Sequence, residues 1–346
     1  MLNVKRGGQL LLFLGLVVAG CSANDAARAD SQSDGAPPGI GARDASSEMD
    51  AAAVPDVAAT LDARATEATA ADAPPFPNYE PLADGGIQEL NLYAGDPPNL
   101  RRDAPPETIG DGGRIYSVSI PTVRRYPVNV SQATGIGFIV FPGGGYDHLD
   151  MERHATALAA RMGPLGIAVF GLKYRVGTGS NDVERDALLD ANRAVRLVRS
   201  HAAAWSVVSE RVGVISYSAG SHLSLSLAGH FDSGRPTDAD LVERESSRPS
   251  FIAAMCSWAH GSATSPFTFV ASTPPVFMCH AQDDTTAPIA LAIQVEQQLQ
   301  ALHVLAHLEI YPSGGHNGFN VGENVPGRDW PDKFIPWLRD NGLVPR

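Results

Sequence analysis

Four short stretches of this 346-residue chain put reactive side chain types directly after apolar runs. The first is Val212-Gly213-Val214-Ile215-Ser216-Tyr217-Ser218-Ala219-Gly220-Ser221-His222. It reads as a short apolar strand, a tight turn and a helix entered through small residues. Such a turn pushes one side chain out above the sheet, at the N-terminus of a helix, and makes a serine there an exposed nucleophile. Ser218 is that side chain. The usual spacing is Gly-x-Ser-x-Gly; here it is Ser216-Tyr217-Ser218-Ala219-Gly220, with serine in the first glycine position. Helix and strand pass close together there, so serine is the mildest departure open to the chain. The competing reading is an ordinary strand-turn-helix with polar residues at the helix start.

The second stretch, Phe141-Pro142-Gly143-Gly144-Gly145-Tyr146, again follows a buried strand. Consecutive glycines let the backbone approach a ligand and aim N–H groups at it. Acyl transfer needs such donors for its tetrahedral oxyanion. Gly144 and Gly145 are the candidates, with the Ala219 N–H just after the serine as a second donor. A glycine-rich loop with no special role is the alternative. Tyr146 and Tyr217 are the candidate substrate contacts; Tyr146 could stack on a sugar and reads equally well as a core or loop tyrosine.

The third stretch, His280 to Pro288, carries Asp283 and Asp284 at the C-terminal end of a strand, the edge where α/β folds place ligands. One aspartate there can hold a histidine in the correct tautomer and stabilise the imidazolium. The two compete for the role, and the other reads as a helix-capping acid. The fourth stretch, Pro312 to Phe319, sets His316 in a glycine-flanked loop after a strand. Of ten histidines, His316 has the best setting; His222 reads as structural, and His303 and His307 as surface. Ser218, Asp284 and His316 follow the chain order Ser, Asp, His of the α/β-hydrolases.

The elements that must position these residues alternate. Apolar strands are expected at 137–141, 167–174, 212–217, 251–257, 276–279 and 307–311, with an edge hairpin at 114–130 broken by Pro121 and Pro127. Helices are expected at 151–162, 181–205, 289–302 and 330–341, the second of them carrying an Asp190/Arg193 pair at i, i+3. Apolar strands interleaved with helices predict an α/β fold: a mainly parallel sheet with helices on both faces.

From about Ile115 to Leu338 the chain resembles the acetyl xylan esterase-like branch of the α/β-hydrolases, bacterial sugar-ester or hemicellulose acetyl esterases. The resemblance rests on Pro142-Gly143-Gly144-Gly145-Tyr146, Leu172-Lys173-Tyr174-Arg175-Val176, the run from Asp190 to His201, the Ser216–His222 elbow, Asp283-Asp284 and Gly315-His316. The glycine stretch and the Arg193 run are its specific parts. It implies an α/β-hydrolase fold and hydrolysis of a small acyl ester, an O-acetyl group on a polysaccharide. Ser218 would be nucleophile, His316 general base and acid, and Asp284 its orienter, with no metal or cofactor. Ser216 departs from the elbow glycine, and Asn317 stands where the family has glycine after the histidine. Two other classes share the fold. A prolyl-oligopeptidase-type peptidase lacks support in any upstream repeat region, and a non-catalytic carbohydrate-binding homologue draws support only from Ser216.

The flanking sequence points to a location. Lys5 and Arg6 precede an apolar run, Leu10 to Val18, too short for a comfortable membrane span, which ends in Val18-Ala19-Gly20-Cys21. Small residues before that cysteine resemble the lipobox of bacterial lipoproteins, which implies cleavage before Cys21, lipid on its thiol and an exported, membrane-anchored protein. Residues 22–75 hold ten Asp/Glu against three Arg and no aromatic residue, the composition of a disordered, self-repelling tether. Residues 76–346 are then the catalytic-size domain. A net charge of −12 with no basic run makes a poor phosphate-backbone binder. Cys256 and Cys279 sit in apolar runs and read as buried thiols, with their pairing left open.

Overall fold

The computed structural model describes residues 86–259 and 265–346. The signal segment 1–21 with Cys21, the tether 22–75 and the first residues of the 76–346 domain lie outside the described residues.

The main sheet has eight strands: β1 (Gln88–Asn91), β2 (Thr122–Arg125), β3 (Gly135–Phe141), β4 (Ala168–Lys173), β5 (Val207–Tyr217), β6 (Ile252–Met255), β7 (Val276–Ala281) and β8 (Ala306–Tyr311). Their spatial order is β1-β2-β4-β3-β5-β6-β7-β8. Strand β2 runs antiparallel to both neighbours; β4, β3, β5, β6, β7 and β8 are mutually parallel. Strands β3, β4, β6 and β7 are buried along nearly their whole length, as a sheet covered on both faces requires. Ile139 at the centre faces Phe170 on one side and Val214 on the other. With α1 (Ala157–Met162), α2 (Val183–Ser200), α3 (Ala219–Leu227), α4 (Ala290–Ala301) and α5 (Trp330–Asp340) packed on the two faces, this is an α/β-hydrolase-like fold.

Parallel strands all end on the same edge, and that geometry gathers the site. The residues following β3, β5, β6, β7 and β8 are the glycine loop, Ser218, Cys256, the Asp283/Asp284 turn and the His316 loop. Helix α5 packs across the middle of the sheet, from β3 to β7. Its Phe334 meets Phe138 of β3, Phe277 of β7 and Phe251 at ring-centroid distances of 5.9, 5.3 and 5.9 Å. Trp330 and Phe334 are fully buried, and Pro331 sits in the first helical turn, where its missing N–H leaves no bond unmade.

Three local expectations change. Residues 114–130 form no hairpin: Ile115–Tyr116 joins a small antiparallel sheet with Thr108–Ile109 and His148–Leu149, whereas Thr122–Arg125 pairs with β1 and β4. The edge strand is Gln88–Asn91, too short and polar to announce itself by period. The helix expected at 181–205 ends at Ser200 and is followed by a separate turn at Ala203–Trp205. The Asp190/Arg193 pair is not made. Asp190 holds Arg175 through contacts of 2.8–3.2 Å, both residues being fully buried. Arg193 instead bonds Glu243 and Asp240 at 2.8 and 2.6 Å. A buried guanidinium must be fully paired, so Arg175 takes the carboxylate that a surface i, i+3 contact would have used.

Candidate active site

Ser218 adopts φ 52° and ψ −118°, a backbone conformation that costs a non-glycine residue about 1–3 kcal/mol unless its surroundings hold it there. They do. Its N–H donates to the Met255 carbonyl (3.1 Å), and its own carbonyl accepts the Ser221 and His222 N–H groups at 2.8 and 3.1 Å. Gly220 is required two residues on, because a Cβ there would stand 2.1 Å from the Phe141 carbonyl oxygen. Ser216 is the informative departure. Its side chain is fully buried, and its hydroxyl lies 2.7 Å from that of Ser224 and 3.2 Å from the Ala253 carbonyl. A serine is accommodated because α3 presents a matching serine, not because the turn is looser.

His316 reaches back over this elbow. Its Nε2 is 2.7 Å from Ser218 Oγ and its Nδ1 2.8 Å from Asp284 Oδ2. Geometry assigns the tautomer: Nδ1–H donates to the carboxylate and Nε2 accepts the serine O–H. Asp284 is buried; its other oxygen accepts the Thr286 and Ala287 N–H groups, both at 2.9 Å. Burial alone would raise its pKa, but the His316 hydrogen bond and these two N–H donors outweigh it, and the group is held below the usual carboxylate range. Beneath it lies His280, fully buried, its Nε2 donating to the Ala287 carbonyl (2.6 Å) and 3.6 Å from Asp284. Burial lowers the pKa of His280, so a neutral ring packs under the ionised carboxylate. Asp283, by contrast, is exposed and accepts from the Gly314 and Gly315 backbone at 3.3 and 2.8 Å.

The glycine loop faces the elbow. Gly144 has φ 138°, and a Cβ on it would lie 2.0 Å from the His148 carbonyl oxygen, so no other residue fits. The Gly143 N–H is already used: it donates to Nδ1 of His154 (3.1 Å). The N–H groups of Gly144, Gly145 and Ala219 donate to no partner among the described residues. Sequence reading missed His154, which looks like any polar residue on a helix. It is buried, stacks on the Tyr217 ring (centroids 4.3 Å, planes 10° apart), and burial pushes its pKa down to about 4. A neutral imidazole can accept the Gly143 N–H; an imidazolium cannot.

A cavity of about 380 Å³ opens over Ser218, lined among others by Gly144, Gly145, Arg153, Trp258, His316 and Asn317. Tyr146 does not reach it. The ring is only 3% exposed, and its hydroxyl bonds Nδ1 of His222 at 2.9 Å, so it braces the glycine loop from behind and is not free to stack on a ligand. Tyr217 touches the cavity wall but is 1% exposed, committed to His154. Cys256 also lines the cavity. Burial raises its thiol pKa, which keeps it protonated and a poor competitor to the serine. Cys256 and Cys279 are both free. Among the described residues no group of three or more His, Cys, Asp or Glu is placed to hold a metal ion.

The site holds an activatable hydroxyl, a base, an orienting carboxylate and uncommitted N–H donors, the parts needed for acyl transfer. Known proteins similar to this chain share its fold and include esterases. The model of the family described as BD-FAE matches residues 127–260. An acetylxylan esterase of Xylanibacter ruminicola is 28% identical over 206 residues, 55% of this chain and 42% of that protein. Endo-1,4-beta-xylanase B of Butyrivibrio fibrisolvens is 24% identical over 215 residues, 56% of this chain and 34% of its own. The chain thus spans less than half the length of these curated relatives. Among solved structures, an acetyl ester-xyloside bifunctional hydrolase from Caldicellulosiruptor lactoaceticus superposes with a TM-score of 0.60 at 26% identity, over 75% of this chain and 98% of that one. A thermophilic esterase from Thermogutta terrifontis shares the fold, with a TM-score of 0.55 at 17% identity over 72% and 95% of the two chains. The protein thus has an α/β-hydrolase-like fold and is similar to an acetylxylan esterase and to the family described as BD-FAE.

Proposed function

We propose that the protein is a serine esterase that removes O-acetyl groups from a carbohydrate such as xylan. The observation that carries this reading is the continuous hydrogen-bonded line Ser218 Oγ–His316 Nε2, His316 Nδ1–Asp284 Oδ2, at 2.7 and 2.8 Å. Ser218 attacks the acetyl carbon while His316 Nε2 takes its proton. The imidazolium is stabilised by Asp284, and the oxyanion is held by N–H groups of Gly144, Gly145 and Ala219. Collapse breaks the bond to the sugar oxygen, which leaves with the proton from His316. Water, deprotonated by the same ring, then attacks the acetyl-enzyme and releases acetate. The similarity to an acetylxylan esterase and to an acetyl ester-xyloside bifunctional hydrolase supports the choice of substrate.

The test is release of acetate from acetylated xylan, and of p-nitrophenol from p-nitrophenyl acetate, by the purified 75–346 unit. Absence of both activities overturns the proposal. The location is proposed separately: lipid on Cys21 would hold the exported protein at a membrane, with residues 22–75 as its leash. Cys21→Ser should move the full chain from the membrane fraction to the soluble one, and a variant that stays membrane-bound refutes the anchor.

A further inference from the structure

We propose that Asn317 selects the alcohol half of the substrate, donating its carboxamide N–H groups to a hydroxyl beside the scissile ester. This rests on the esterase reading above. Asn317 immediately follows His316, is exposed, and lines the same cavity as Ser218. Its orientation is dictated chemically. The carboxamide oxygen accepts from Nη1 of Arg153 at 3.2 Å, and a guanidinium only donates, so the oxygen end must face it. Arg153 is itself anchored by both oxygens of Glu323, at 2.5 and 3.0 Å. The Asn317 carbonyl accepts the Asn320 side chain at 3.1 Å, which pins the loop. The acceptor end of the carboxamide is therefore engaged. Its two N–H donors have no partner among the described residues.

A donor pair fixed at the mouth of an ester-cleaving cavity is suited to a polyol. Asp150 also lines the cavity and is bonded to Arg114 through one oxygen (3.2 Å), so a carboxylate acceptor is present for the proton of the same or a neighbouring hydroxyl. An aryl or alkyl acetate offers no such hydroxyl. A site built to hydrogen-bond a substrate hydroxyl discriminates against analogues that lack it; at this exposed position the expected preference is about tenfold.

The experiment compares kcat/KM for an acetylated xylo-oligosaccharide with kcat/KM for p-nitrophenyl acetate in the wild type, Asn317→Ala and Asn317→Asp. The aspartate keeps the contact with Arg153 as an ion pair but offers no donor when ionised. A carboxylate beside His316 also affects the base, but both esters use the same imidazole, so the ratio cancels that effect. Both variants should lose about tenfold in the ratio, mainly through KM for the sugar ester, with melting temperatures near wild type. A wild-type ratio retained in both variants, or lost in Asn317→Ala but kept in Asn317→Asp, overturns the inference and leaves the esterase reading intact. A wild type that cleaves only p-nitrophenyl acetate also overturns it. A wild type inactive on both esters overturns the two together.

Discussion

The Asp283 carboxylate accepts the Gly315 N–H at 2.8 Å, one residue before the histidine whose ring Asp284 holds at the same distance. Two adjacent acids thus divide one loop between them: Asp283 holds its backbone, Asp284 its imidazole. Asp284→Asn should lower turnover by about 10³- to 10⁴-fold, because the amide favours the wrong tautomer. Asp283→Ala should lower it about tenfold, since its contacts are exposed and partly replaced by water. Steady-state kinetics on one ester decide it, and equal losses in the two variants would refute this division.

Ser218 and His316 should behave as one unit, since neither forms the acyl-enzyme without the other. Each alanine variant should remove nearly all turnover, and the double variant little more. An organophosphonate should label Ser218 and fail to label Ser218→Ala. An adduct mapped by mass spectrometry to Ser216 or Ser221 would show that the elbow had been misassigned.

His154 makes stability depend on pH. Its folded-state pKa is depressed from 6.5 to about 4, so between those values the unfolded chain binds the extra proton. Stability is therefore complete above pH 6.5 and falls as pH drops toward 4, by on the order of 3 kcal/mol in total. Urea unfolding of wild type and His154→Gln at pH 7 and pH 4.5 should show a smaller loss in the variant. Identical losses would mean that the ring is not the titrating group.

Ser216→Ala should cost about 1 kcal/mol, because Ser224 retains the Ser221 carbonyl as acceptor at 3.1 Å. Ser216→Val should cost about 1–3 kcal/mol through overpacking between β5 and α3. Denaturant midpoints check both. A valine variant as stable as wild type would contradict the close packing seen at this position.

Much of this molecule can be read locally. The strands β3, β4, β6 and β7 and the second half of β5 are legible because burial on both faces demands continuous apolar runs such as Gly137–Phe141 and Val212–Ile215. Ser218, Asp284 and His316 stand out because each follows a strand, in a turn that carries small residues. What a local reading misses are contacts between residues far apart in the chain. Arg175 lies 15 residues from Asp190, Arg153 lies 170 from Glu323, and His154 lies beside Gly143 only after α1 and its preceding turn fold under the loop. Tyr146 looked available to a ligand because sequence shows that a ring follows the glycines but not which way the backbone turns; at φ 62° it turns inward, onto His222. By itself the sequence determines which segments must be buried and which side chains are able to react, since both follow from residue type and period. The tertiary structure alone decides which of those side chains meet and which N–H donors stay uncommitted, because hydrogen bonds and desolvation act between neighbours in space and not in the chain.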